Sequence, residues 1–355
     1  MSTDTAQQSI KSQEKAIKTP ENKTPQSASS GSKFKIPKGA PQIAALLLVL
    51  IINSLVADGF FSIHIHDGRF FGSLIDILNR CAPVALLTLG MTLVIATGGI
   101  DLSVGAVMAI SGATMATLTS QGYSIPVVLI FSLLAGLACG LWNGFLVAIF
   151  KIQPIVATLI LMVAGRGIAQ LITEGQIITF HNDTLSWLGS GSFLYFPTPV
   201  IITLLCTLFV WLLTQKTALG LFIESVGINI RAAKNAGVNT PVIVISTYML
   251  SGLMAAIAGI IVAADIKGAD ANNAGLWLEM DAVLAVVIGG TSLMGGRFHL
   301  FLALVGALII QGVNTGILLS GYQPQWNQIV KAIVVLVVLV LQSSTVLSSL
   351  KRGKS

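Results

Sequence analysis

Between residues 42 and 347 the chain returns repeatedly to apolar runs separated by short polar breaks. Each run is close to the roughly 20 residues an α-helix needs to cross the hydrocarbon core of a bilayer. Without water there, a segment must satisfy its own backbone N–H and C=O groups, which only helices and closed barrels achieve. Runs of this length predict helices. Hydrophobic residues form 54% of the chain and charged residues 10%, against about 25% charged in a soluble domain. An ordinary water-soluble domain is excluded. The expectation is an all-α, polytopic membrane protein with about ten transmembrane helices, near 42–57, 74–96, 101–119, 126–150, 154–173, 197–214, 241–264, 279–294, 299–319 and 327–347.

Residues 1–40 are rich in Ser, Thr, Gln, Pro and Lys and poor in large apolar side chains, so they are expected to form a disordered tail. The transmembrane domain then spans 41–348, with a second short tail at 349–355. With the N-terminus on the cytoplasmic side, fifteen of the twenty basic residues fall on that side. Asp58, Asp67, Asp76, Glu174, Asp183, Asp265, Asp270, Glu279 and Asp281 fall outside or at the outer boundary. Lys/Arg bias sets orientation, which predicts both termini in the cytoplasm. It also accounts for the net charge of +6 without a nucleic-acid partner. Cys81, Cys139 and Cys206 sit in apolar segments, as packing residues do.

One stretch breaks the pattern. TGGIDLSVG, Thr97–Gly105, interrupts an otherwise good membrane helix with three glycines and a carboxylate. A break is tolerated where protein or a water-filled cavity satisfies the freed backbone. Two readings stand: Asp101 caps a helix beginning at Leu102, accepting from N–H groups near Val104, or Gly98, Gly99, Asp101 and Ser103 line a transport path. Ala106–Ala109 echoes Ala282–Ala285, and Asn143 echoes Asn314, both five crossings apart, as inverted repeats with broken helices would be. A rival echo of Gly98–Gly99 in Gly289–Gly290, six crossings apart, would make the repeat parallel. Gly136, Gly140 and Gly144 form a four-residue packing stripe. Arg166, between two glycines in the fifth crossing, is a candidate for path or partner contact. No residues form a catalytic set or metal site, and His64–Ile65–His66–Asp67 reads as an ordinary outer loop.

The longest cytoplasmic interruption, 216–240, reads as a short amphipathic helix, with Ile223, Val226, Ile230 and Ala233 at helical spacing. GMTLVIATGGIDLSVGAVMAISGA, LWNGFLVAIFKIQPIVATLILMVAGRG, GINIRAAKNAGVNT and LAVVIGGTSLMGG, in this order, resemble the sugar-importing ABC permeases of the ribose and xylose type. GADANNAGLWLEMDAVLAVVIGG and NRCAPVALLTLGMTLVIATGGIDLSVG resemble the galactofuranose-importing branch of that family.

The resemblance implies a permease subunit in a bacterial inner membrane. A cytoplasmic sugar ABC ATPase would carry ATP and Mg, a periplasmic sugar-binding protein would deliver sugar, and a second permease subunit would complete a heterodimer. This chain would bind no cofactor itself and would contact membrane lipid. The resemblance also implies that Glu224, Gly227, Asn229, Ala232, Ala233 and Gly237 dock the ATPase, with Arg231 standing where the family pattern has glutamate. Consistent with that division, the chain lacks the G-x-x-x-x-G-K-[ST] phosphate loop. The alternative, a secondary transporter driven by an ion gradient, usually needs intramembrane ionisable relays, and the crossings offer essentially Asp101.

Overall fold

The computed structural model describes residues 39–66, 69–321, 323 and 325–342. The expected tail over 1–38, the end of the last crossing past residue 342 and the tail at 349–355 lie outside the described residues. The chain enters on α1 (Ala40–Val56), turns through the hairpin of β1 (His64–His66) and β2 (Arg69–Phe71), and returns on α2 (Ser73–Ala96). α3 (Val104–Ser120), α4 (Ile125–Ala148) and α5 (Pro154–Ile172) follow. A longer excursion carries β3 (Ile178–Thr179), α6 (Asp183–Ser190) and the hairpin of β4 (Ser192–Phe193) and β5 (Phe196–Pro197) before α7 (Thr198–Lys216). At the opposite end, α8 (Leu219–Ile228) and α9 (Ile230–Asn235) precede α10 (Thr240–Asp265). The described chain closes with β6 (Gly268–Ala269), α11 (Leu278–Ile288), α12 (Leu300–Leu319) and α13 (Trp326–Gln342).

Each expected crossing is a helix. α2, α4, α5, α7, α10 and α12 are long and apolar enough to cross a membrane, while α1 and α3 are shorter apolar helices of 17 residues. α11 is the departure: expected to run to residue 294, it stops at Ile288 after 11 residues. Proline in the first turn of α1, α4, α5, α7 and α10 starts these helices where an N–H would be unpaired in any case. Asn182 caps α6, accepting from Leu185 N at 3.1 Å.

α10 is the axle, packed on α2, α3 and α4. The glycine stripe of α4 is the reason it fits so closely. A Cβ on Gly136, Gly140 or Gly144 would lie 2.5 Å from Gly252 O, 2.3 Å from Tyr248 O and 2.8 Å from Ile245 Cα. Small residues are how helices approach when lipid gives no hydrophobic drive between them.

The packing also decides the repeat. α2 runs toward the α8–α9 end and α10 away from it, five crossings later, and the two pack together. α2 packs on α11 and α12 as α10 packs on α3 and α4, while α3–α4 and α11–α12 are equivalent neighbours. That is the contact pattern of inverted repeats. β3 pairs with β6, tying the α5–α6 connection to the α10–α11 connection.

Candidate functional site

The first break runs from Thr97 to Ser103, and α3 begins at Val104 rather than at Leu102. Asp101, 1% exposed, sits at its centre. The capping reading is narrowed: Asp101 Oδ1 accepts from the N–H of Ser103, the residue just before Val104, at 3.1 Å, and from Ser103 Oγ at 2.6 Å. Ser251 Oγ on α10 donates to Oδ2 at 2.9 Å, and Asn143 Nδ2 on α4 lies 2.8 Å from Ser103 Oγ and 3.5 Å from Oδ1. Asp101 is a knot between the break, α4 and α10. Thr158 on α5 donates to Ile100 O at 3.2 Å, so the broken backbone is satisfied by neighbouring helices. Gly99 lets Tyr248 approach: a Cβ there would lie 2.6 Å from the Tyr248 hydroxyl.

A second break faces the first. Residues 270–277 are non-helical and lead into α11. Gly275 meets Gly105 backbone to backbone, so a Cβ on either would come within 2.4 Å of the other's carbonyl oxygen. Two half-helices thus bring their N-termini together inside the bundle. Each N-terminus carries about half a positive charge, and carboxylates gather there. Glu279 is 6% and Asp281 5% exposed, so these two carboxylates, at the start of the crossing, are covered by protein. Asp281 pairs with Lys331 on α13 at 2.7 and 2.8 Å. Among the described residues three carboxylates, Asp101, Glu279 and Asp281, are buried. Lys331 in an apolar run was the signal available for this pair; Ser251 and Tyr248 had none.

Arg166 contacts the second break. Its Nη1 donates to Ala271 O at 3.0 Å and Ala274 O at 2.5 Å, and Gln170, one turn later on α5, donates to Asn272 Oδ1 at 2.6 Å. Within the loop, Asn273's side-chain amide and the Asn272 and Asn273 N–H groups hold the Asp270 carboxyl below the usual carboxylate range, helped by Arg166. Asn314 does not mirror Asn143: it is half-buried and donates to Gln311 Oε1 at 3.5 Å, outside the Asp101 knot.

The expected single helix over 219–240 is two. Asn229, extended at φ −159°, ends α8 and caps α9, accepting from Arg231 N and Ala232 N at 3.0 Å each. Ile223, Val226 and Ala233 are buried, but the kink turns Ile230 outward, 53% exposed. Gly237 ends α9 at φ +87°, with Val238 N bonded to Ala233 O and Gly237 N to Lys234 O. This is a Schellman stop that a glycine fits. Ala232 is exposed and Glu224 half-buried. Gly227 reaches the first break: a Cβ there would lie 1.8 Å from Ala96 O and 2.5 Å from Gly296 N, which bond each other at 2.9 Å. One face of the α8–α9 segment is thus in contact with the chain entering the Asp101 knot.

A family described as branched-chain amino acid transport system / permease component matches residues 73–339. Across 331 residues, 93% of this chain and 97% of the relative, the chain is 69% identical to the galactofuranose transporter permease protein of Escherichia coli (strain K12). It is 39% identical to the fructose import permease protein of Bifidobacterium longum (strain NCC 2705), over 85% of this chain and 86% of that one. To the ribose import permease protein of Escherichia coli (strain K12) it is 37% identical, over 85% and 92%. The family match contains both breaks, the α8–α9 segment and the paired half-helices, and with it the chain belongs to this family of transport-system permease components.

Proposed function

We propose that the chain is the membrane subunit of an ATP-driven, binding-protein-dependent importer of galactofuranose, seated in a bacterial inner membrane. The observation that carries this reading is the 69% identity over nearly the whole chain to a galactofuranose transporter permease, against 39% and 37% to the fructose and ribose permeases. Family membership sets aside the ion-gradient alternative.

In this reading the α8–α9 end faces the cytoplasm. Lys151, Lys216, Arg231, Lys234 and Arg297 all lie at that end, in support of the positive-inside orientation. A cytoplasmic ATPase binds ATP and Mg and docks on the α8–α9 segment, a periplasmic sugar-binding protein delivers sugar at the α6 end, and a second permease subunit completes a heterodimer. A partner shifts an equilibrium only by its differential affinity for the two states. The Gly227 contact with Ala96 and Gly296 supports a short route from ATPase to break: movement of α8 changes the packing that holds both loops. The Asp101 knot and the Gly105–Gly275 junction are then the elements that rearrange as the path opens.

The test is reconstitution of the chain with its ATPase, binding protein and second permease in liposomes, measuring uptake of radiolabelled D-galactose. Uptake should require ATP and the binding protein, and excess ribose should compete weakly. Uptake sustained by an ion gradient after ATP removal would overturn the reading.

A further inference from the structure

A cavity of about 410 Å³ lies at the α6 end of the bundle, beside the meeting point of the half-helices. Gly275 of the second break and Leu278, the first residue of α11, line it together with Met108, one turn into α3. Its size falls within the roughly 300–1,000 Å³ of small-molecule sites. Its polar lining is Asn79, Arg80, Asp265, Asn273 and Gln311: three side-chain amides, each both donor and acceptor, and one charge of either sign. Pro83, Met108 and Leu276 supply apolar walls. Amides over an apolar wall, with balanced charge, suit a neutral polyol better than an ion.

The amides also have bonding capacity to spare. Gln311 is 7% exposed, yet its contacts are long, 3.4 Å to Thr315 Oγ1 and 3.5 Å from Asn314 Nδ2. The Asn79 Oδ1 atom is buried without a hydrogen-bond partner. A buried polar atom without a partner costs free energy, and because Asn79 borders the cavity, a turn of its side chain toward the cavity exchanges that state for a bond to a ligand hydroxyl. Arg80 is fixed to Asp76 through Nε alone, at 3.0 and 2.9 Å. The cavity at the α8–α9 end, about 510 Å³, differs in kind: Lys151, Arg231 and Lys234 line it, with no acidic side chain. The two cavities are not interchangeable stations for one neutral solute.

We propose that the α6-end cavity is a sugar-holding site within the permease, in which Asn79, Asn273 and Gln311 bond the hydroxyls of a neutral hexose. Asn273 belongs to the loop that Arg166 and Gln170 grip from α5, so occupancy is felt by the second break. The permease then selects among sugars after the binding protein has released them. This inference rests on the sugar-importer reading.

The experiment uses the complete transporter in liposomes and measures sugar delivered per ATP hydrolysed, for D-galactose and for its 2-deoxy and 6-deoxy analogues. Variants are Asn79→Leu, Gln311→Leu and the near-isosteric Gln311→Met, each normalised to inserted protein. Losing one hydrogen bond to the ligand corresponds to roughly a three- to tenfold effect. The expected result is that much less galactose per ATP, with a smaller preference for galactose over at least one deoxy analogue. Unchanged delivery and unchanged preference would overturn the holding site, and so would an equal loss for all three sugars, which marks a structural role. Wild-type complex that imports no sugar would instead overturn the importer reading.

Discussion

Replacing Asp101 tests whether the break is held by a buried acceptor or merely bends there. Asp101→Leu removes the acceptor for Ser103 N, Ser103 Oγ and Ser251 Oγ, all buried. The hydroxyls can turn to other carbonyls, but the Ser103 N–H is fixed by the backbone. A buried donor left unpaired costs about 1–3 kcal/mol. Counting that N–H and part of the Ser251 contact gives a loss of about 2–4 kcal/mol. Relief of the carboxyl group's own desolvation offsets part of this, but the Ser103 N–H stays buried and unpaired, which keeps the loss toward the lower end of that range. Asp101→Asn keeps an acceptor for Ser103 N while its amide nitrogen can donate to Ser251 Oγ. It loses mainly the extra strength of bonds to a charge, about 1 kcal/mol. Cys81 is buried and Cys139 and Cys206 half-buried, all as free thiols, so a thiol-reactive fluorophore reports unfolding in detergent. At about 2–4 °C per kcal/mol for a chain of a few hundred residues, the Leu variant should melt on the order of 5–10 °C below wild type and the Asn variant within about 3 °C. Equal melting temperatures for Leu and Asn, with normal transport by both, would refute the acceptor argument.

Gly227→Val should insert normally yet lose ATP-driven uptake, because its side chain meets Ala96 O and Gly296 N and overpacking costs about 1–3 kcal/mol or more; wild-type uptake would remove this contact from the coupling route. Lys331→Met strands Asp281 in a pair whose side chains are 12% and 7% exposed, a loss of about 3–5 kcal/mol. The double change Asp281→Leu with Lys331→Met should recover most of it in the same thiol assay, and a double variant no better than Lys331→Met would count against the pair. Asp270 has a folded-state pKa below its unfolded value, so its contribution is fully present above the ordinary carboxylate pKa of about 4 and fades as pH falls through the lowered value. Amide hydrogen exchange in 270–276, corrected for intrinsic rates, should show less protection at about pH 3 than at about pH 6, and unchanged protection would exclude that role.

The sequence by itself determined the all-α membrane class, a helix count near ten and where many of the helices start, because a bilayer accepts little besides helices and proline marks their first turns. It located the first break, since glycines and a carboxylate have no other business in an apolar run, and the family resemblance singled out the α8–α9 segment that we propose docks the ATPase. It could not say what Asp101 binds. Ser251 lies 150 residues away, and a serine in a membrane helix looks the same whether it faces an acceptor or its own carbonyl. The second break was hidden for a related reason: Glu279 and Asp281 flank a loop and read as boundary residues until α11 and α13 bury them. The bend at Asn229 undid the helical spacing that placed Ile230 with Ile223, because one extended residue resets the face of everything after it. Periodicity and composition are local and survive in one dimension. The meeting of two half-helix N-termini at Gly105 and Gly275 depends on how α10 threads between the halves, and only the packed structure decides that.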